Sequence, residues 1–339
     1  MKPVERLLNA VRGHDNLLIV PHYNPDPDPD PDAIAGAVGL QFLLAQTLGV
    51  KSQIGYAGII GRAENKAMVK YLNAPLTPLA QLPESNRGPL ALVDTQPGAG
   101  NTPNLGQLPT LVVVDHHDRL DFNLTQPNAA IDIRPNAGAT SSILTEYLQA
   151  AGLNLAGMLA TALFYGIKTN TMGLGRNVSG ADTAAYHFLQ PQIEVEVLTQ
   201  IEQARVSPDY FKSFDTALRA ARIYNGLVIS YIGPMEYPEL AAEMADLLLR
   251  LEESQWVVCL GQFGDNLILS VRARRRQPGS QNLAQAIVGG DGTAGGHGVI
   301  AGGQIPLEGR NPNRLAPQLV GRIRRYLNIP ANLIGRRLI

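Results

Sequence analysis

The run Leu111-Val112-Val113-Val114, followed at once by Asp115-His116-His117-Asp118, constrains this chain more than any other stretch. A short β-branched run bounded by Pro109 on one side and charge on the other reads as a buried parallel strand. Its C-terminal end then carries a carboxylate and two adjacent imidazoles, and in open α/β sheets that edge is where ligands bind. Two further apolar runs stop in the same way. Leu17-Leu18-Ile19-Val20 leads into Pro21-His22-Tyr23-Asn24-Pro25-Asp26, and Leu90-Ala91-Leu92-Val93 leads into Asp94-Thr95. Lying side by side and parallel, these strands would bring His22, the Asp-Pro repeat, Asp94 and His116 to one crevice. The plainer alternative makes Asp115 a turn cap and the histidines surface residues; the recurrence at three strand ends favours the crevice.

Carboxylates with a few imidazoles suit hard or borderline divalent ions, manganese or magnesium rather than a closed structural zinc site. No thiolate centre is available, because the single cysteine, Cys259, sits in the apolar run Trp256-Val257-Val258-Cys259-Leu260 and reads as an inert core residue.

Along the first 190 residues short apolar strands alternate with helical patterns, as in a doubly wound, mostly parallel α/β sheet. Residues 33–48 give the clearest helix, with Gly49 as its stop signal; 138–150 and 155–165 give two more. The first of these can face bound phosphate with its N-terminus. Residues 191–222 look helical and charged, a connector to a smaller α/β domain over 223–339 with short strands and one intervening helix at 236–251. There Arg272-Ala273-Arg274-Arg275-Arg276 is the densest positive patch. Alternation places Arg272 and Arg274 on one face, where guanidinium groups could grip phosphate, although such runs are commonly just solvated strand ends.

With 339 residues, 45% hydrophobic and 17% charged, the chain can form two domains with sizeable cores. A net charge of −1 leaves no global electrostatic footprint for long nucleic acid, so small phosphorylated substrates fit better. The N-terminal residues 1–11 form an amphipathic helix candidate without a secretory apolar region, and no stretch approaches membrane-spanning length. A cytoplasmic enzyme is the expectation, with no membrane partner; a homodimer is compatible with the sequence.

The ordered motifs resemble the DHH-family phosphoesterases of the RecJ-like group. They are His22-Tyr23-Asn24-Pro25-Asp26 running into Asp32-Ala33-Ile34-Ala35-Gly36, then Val93-Asp94-Thr95, then Asp115-His116-His117. Near the end, Gly295-Gly296-His297-Gly298-Val299-Ile300-Ala301-Gly302-Gly303 resembles the glycine-rich signature of the associated C-terminal substrate domain, DHHA1. The resemblance implies a metal-binding catalytic domain over 1–190, the connector over 191–222 and a DHHA1 domain over 223–339. It implies two Mn2+ ions, with Mg2+ as the other choice. His22, Asp30 and Asp94 would hold one; Asp32, Asp94, His116 and Asn170 would hold the other, with Asp94 bridging. It further implies that Asp115 orients His116, that His117 contacts the scissile phosphate or assists the leaving oxygen, and that Arg272 and the Gly295-Gly296-His297 loop bind the far end of the substrate.

Two departures from the family pattern fall on this metal site. The segment from His22 to Ala33 is four residues longer than usual, so counting from His22 selects Asp26 and Asp28, whereas counting back from the helix selects Asp30 and Asp32. We favour the second pair, because a carboxylate at a helix start is fixed by the helix and favoured by its dipole. The alternating prolines keep the loop extended. The second departure is Gly166-Ile167-Lys168-Thr169-Asn170-Thr171, where related enzymes usually carry an aspartate at the position of Asn170. Asparagine keeps an oxygen donor but loses a charge. This implies an altered metal preference, a weakened enzyme or a variant that traps a complex. Asp182 nearby reads as a helix cap. The function expected is two-metal hydrolysis of a short oligoribonucleotide, a dinucleotide or 3′-phosphoadenosine 5′-phosphate. The alternative is a catalytically silent nucleotide-binding or regulatory protein. Long duplex nucleic acid is not an expected partner.

Overall fold

The computed structural model describes residues 2–23, 30–84, 87–103, 105–106, 108–275 and 279–339, and of His297 the backbone alone. Two compact units divide the chain between Ala204 and Arg205.

In the first unit, the described residues form a six-stranded sheet in the order β3-β2-β1-β4-β5-β6, every pair parallel. The strands are β1 (Asn16–Pro21), β2 (Lys51–Tyr56), β3 (Leu76–Pro78), β4 (Leu90–Val93), β5 (Thr110–Asp115) and β6 (Ala130–Ile133). Both faces of the sheet are covered, so its central strands are apolar throughout. Leu17 and Ile19 of β1 point into one core with Ala91 and Val93 of β4, while Leu18 and Val20 point into another with Leu90 and Leu92. The order of the strands reverses between β1 and β4, and such a switch point opens a crevice at the carboxyl ends of the strands.

The unit also contains helices α1 (Pro3–Val11), α3 (Ala63–Tyr71) and α6 (Gly180–Leu189). Three further helices position the crevice. Helix α2 (Pro31–Leu48) starts on Asp30, whose side chain accepts from the Ala33 amide at 2.9 Å, with Pro31 preset for the first turn. It ends at Gly49 in the left-handed conformation. Helix α4 (Thr140–Ala150) and helix α5 (Met158–Asn170) pack against it in the larger core. Gly166 makes that contact close: a Cβ there would lie 2.5 Å from Ser141 Oγ and 3.1 Å from the Asp32 Cα. The helix expected at 155–165 thus begins later, after Gly157 at φ +64°, and runs on to Asn170.

The second unit holds a mixed seven-stranded sheet among the described residues, with β8 (Leu227–Pro234) and β9 (Trp256–Phe263) parallel and the other pairs antiparallel. Strand β10 (Asn266–Ala273) lies beside β9, followed by β12 (Ile300–Pro306) and β11 (Thr293–His297) at one edge, and β7 (Arg222–Tyr224) lies beside β8, followed by β13 (Arg336–Arg337) at the other. The fold is therefore α/β with a parallel sheet in the first unit and a mixed sheet in the second. The stretch 191–222 contains two helices, α7 (Val195–Glu202) in the first unit and α8 (Pro208–Ala220) in the second. Ser207 caps the second, with Pro208 at its first position. Among the described residues no helix is long and apolar enough to cross a membrane.

Candidate metal centre

The carboxyl ends of β1, β4 and β5 lie next to one another because the strands do, and each is followed by a metal-ligand side chain. His22, Asp30, Asp32, Asp94, Asp115, His116, His117 and Asn170 come together at this edge. Asp32, Asp94 and Asp115 are buried, whereas 31% of the His117 side chain remains open to solvent.

Asp94 sits at the centre. Its backbone takes the left-handed conformation at φ +61°, a strained choice for a residue other than glycine that aspartate tolerates better than most. Its Oδ2 lies 2.7 Å from His22 Nδ1 and its Oδ1 accepts from Thr140 Oγ1 at 2.7 Å. Asp32 is fixed by the first turn of α4: the amides of Thr140 and Ser141 donate to its two oxygens, each at 2.7 Å. A helix N-terminus compensates a buried anion in this way.

The two histidines after β5 are oriented differently. His116 Nδ1 lies 3.1 Å from the Ala137 carbonyl, which assigns the proton to Nδ1 and leaves the Nε2 lone pair facing Asp94 Oδ1 at 3.4 Å. Asp115 Oδ1 accepts from the backbone amides of His116 and His117 and lies 2.8 Å from His117 Nδ1. The ring that Asp115 orients is thus that of His117. The expectation that it orients His116 fails because the carboxylate folds back over its own turn, whereas the His116 ring reaches the loop before α4.

Charge and burial compete at every group. Burial works against protonation of His22, but the carboxylates of Asp30, Asp94 and Asp115 overcome it and push its pKa up to about 10. Burial likewise opposes a charge on His117, yet Asp115 and Asp94 raise it to about 9. Asp32 is raised to about 7 by burial and by the neighbouring charge of Asp94. Burial would raise Asp94 as well, but the hydrogen bond and charge of His22, with His116 and His117, hold it well below the usual carboxylate range. Such a cluster retains protons that a dication would displace.

The donor set fits a hard divalent ion. Ligand atoms of His22, Asp30 and Asp94 lie within 4.8 Å of one another, as do those of Asp94, His116 and His117, with Asp94 common to both groups. In addition, Asp115 Oδ2 is buried without a hydrogen-bond partner among the described residues. Asp32 belongs to neither group. Its oxygens are taken by α4 and by Asn170, whose Nδ2 lies 3.0 Å from Asp32 Oδ2 and 3.1 Å from His116 Nε2. The other candidates from the first motif, Asp26 and Asp28, lie outside the described residues. Asp182 completes a capping box with Ser179 and also accepts from the Gly138 amide at 2.8 Å. Two positioning groups, Thr140 and the Ala137 carbonyl, escape a search for ligand-type residues; the only signal is the Thr-Ser pair at a helix start.

The remaining candidates belong to the second unit. Arg272 is buried on the face of β10 toward helix α9 (Leu240–Leu248), with Nε 2.5 Å from Asp246 Oδ1 and Nη1 2.8 Å from Ser270 Oγ. Arg274 donates to the carbonyls of Ser254, Leu249 and Leu251. Arg276 is outside the described residues. Gly295, Gly296 and His297 form part of edge strand β11, paired antiparallel with β12, where a glycine-rich loop was expected. Gly296 serves the strand, since a Cβ there would meet Ile300 O at 2.4 Å. Cys259 is fully buried, and burial pushes its thiol up, consistent with an inert core residue.

Residues 16–167 match the model of the DHH family, N-terminal domain. Over 295 residues the chain is 33% identical to an uncharacterized protein of Methanocaldococcus jannaschii, covering 86% of this chain and 58% of that protein. The chain thus spans little more than half of the length of this curated relative. An exopolyphosphatase-related protein from Bacteroides fragilis shares the fold with a TM-score of 0.75 at 14% identity, over 96% of this chain and 97% of that one. RecJ from Thermus thermophilus, solved in complex with Mg2+, aligns with a TM-score of 0.47 at 14% identity, over 97% of this chain and 52% of that one.

Proposed function

We propose that this protein, whose residues 16–167 match the model of the DHH family, N-terminal domain, is a divalent-metal-dependent phosphoesterase acting on short phosphorylated nucleotides. The substrates proposed are short oligoribonucleotides, dinucleotides or 3′-phosphoadenosine 5′-phosphate. The observation that carries this reading is the convergence of His22, Asp30, Asp94, His116 and His117 at the switch point of a parallel sheet. Mn2+ or Mg2+, when bound there, supplies Lewis-acid polarisation of the phosphoryl oxygens.

The chain's own groups do the rest. His22, Asp30 and Asp94 hold the ion, and Thr140 fixes the Asp94 carboxylate from behind. His117, engaged by Asp115 at Nδ1 and partly open to solvent, donates its Nε2 proton to the departing oxygen. In the metal-free fold Asp115 and Asp94 overcome the cost of burial and raise its pKa to about 9. In the second unit, we assign substrate binding to the glycine-rich edge of Gly295, Gly296 and His297. Arg272 is proposed to support that edge from within the sheet, where it fixes α9 against β10 through Asp246.

One observation favours a second reading, a nucleotide-binding protein without turnover: the Asn170 amide lies between Asp32 and His116. Both readings are tested by release of mononucleotide from pApA, and of phosphate from 3′-phosphoadenosine 5′-phosphate, by the full chain with Mn2+ or with chelator. Metal-dependent product supports the hydrolase, and Asp94→Asn should then lower kcat by at least about 100-fold. Asparagine tolerates the left-handed backbone, so that variant keeps its fold while losing the charge. Binding of these nucleotides without product would leave the silent reading.

A further inference from the structure

Asp32 Oδ2 and His116 Nε2 are acceptors 3.9 Å apart at the inner corner of the centre, and both are occupied by the same atom. Asn170 Nδ2 carries two N–H bonds and meets two acceptors, at 3.0 Å and 3.1 Å. The tautomer agrees, since His116 Nδ1 faces the Ala137 carbonyl and leaves Nε2 free to accept. Position is fixed at both ends: α5 packs on α2 through Gly166, and the Asn170 carbonyl accepts from Arg176 Nη2 at 3.0 Å. Asp32 is further neutralised by the Thr140 and Ser141 amides.

We infer that the Asn170 amide serves as a built-in substitute for a second cation, so that the centre holds a single resident divalent ion on His22, Asp30 and Asp94. A second ion at Asp94, His116 and His117 needs the Nε2 lone pair that the amide already uses. Entry there breaks two hydrogen bonds in a buried corner and brings no new negative charge in return. This inference rests on the metal-centre reading but not on turnover.

The test is the ion count on the full chain, by native mass spectrometry and calorimetric titration with Mn2+, for the wild type and Asn170→Asp. The expected result is one ion on the wild type and two on Asn170→Asp, with the second site tightened at least about tenfold by the added carboxylate. Two ions of similar affinity on the wild type, no ion on it, or one ion on a folded Asn170→Asp would each overturn the inference. Should that variant fail to fold, the Mn2+ paramagnetic resonance of the saturated wild type decides alone: an isolated-ion signal supports the inference and an exchange-coupled pair overturns it. Turnover of pApA, read on the same samples, separates the two proposals. One ion without product leaves the ion count standing and removes the hydrolase, whereas two ions with product does the reverse.

Discussion

Asp94 shows how much of the chemistry is decided by single residues. It is buried, backbone-strained and bonded to His22 and Thr140, so every neighbour is arranged around one carboxylate. The same arrangement sets a pH dependence. His22 and His117 have folded pKa values of about 10 and about 9, above the ordinary 6.5 of an unfolded histidine. Their protonation therefore stabilises the metal-free fold fully below about pH 6.5, and that contribution is lost as pH rises through 9 to 10. Asp32, raised to about 7, acts in the same direction at lower pH. In chelator, the urea midpoint should fall steadily from about pH 6 to about pH 10. Mn2+ affinity measured by calorimetry should rise across the same interval, because an ion on His22 displaces the proton that this histidine holds. A metal-free midpoint that is flat or rising would contradict the charge arrangement. Candidate ligands were legible in the sequence because they follow strand ends; the ring partners of His116 and His117 were not, because they depend on side-chain direction.

Asp30 caps helix α2 and is also proposed to bind metal, and substitution separates the two roles. Asp30→Ala should remove about 1 kcal/mol of metal-free stability with the lost cap and should also weaken Mn2+ binding. Asp30→Ser should weaken Mn2+ binding as well but lose less metal-free stability than Asp30→Ala, because a hydroxyl caps as well as a carboxylate but ligates a dication poorly, while the charge beside His22 is lost from both variants. Denaturation and calorimetry on the same pair of variants check both parts; equal stability losses would remove the capping role. The contact between α2 and α5 is as demanding. Gly166→Ala would drive a methyl group against the Asp32 backbone and should cost about 1–3 kcal/mol in a denaturant titration. The helix expected from 33 was legible down to its Gly49 stop, since apolar continuity and stop signals are local. The pairing at Gly166 was not, because a glycine inside a helix does not announce which neighbour approaches it.

Across the whole molecule, each unit has its own sheet with cores on both faces, and all the metal-ligand side chains described belong to the first. Ion binding should therefore protect locally. Hydrogen exchange with saturating Mn2+ should slow at the ends of β1, β4 and β5 and at the start of α2, with β9 and β10 unchanged. Equal slowing in both units would show that ion binding is coupled through the chain.

By itself the sequence marked strands at 17–20, 90–93 and 111–114 and the ligand types at their ends, because periodicity and punctuation act within a few residues. It also marked Gly295, Gly296 and His297 as a glycine-rich loop, where the structure pairs them as an edge strand. Only the tertiary structure decided that α4 gives its first amides to Asp32, that Asp115 holds His117, and that Asn170 stands between Asp32 and His116. Those choices join residues up to 138 positions apart, and their physical basis is the burial of charge: a carboxylate removed from water takes the nearest donors that packing brings to it.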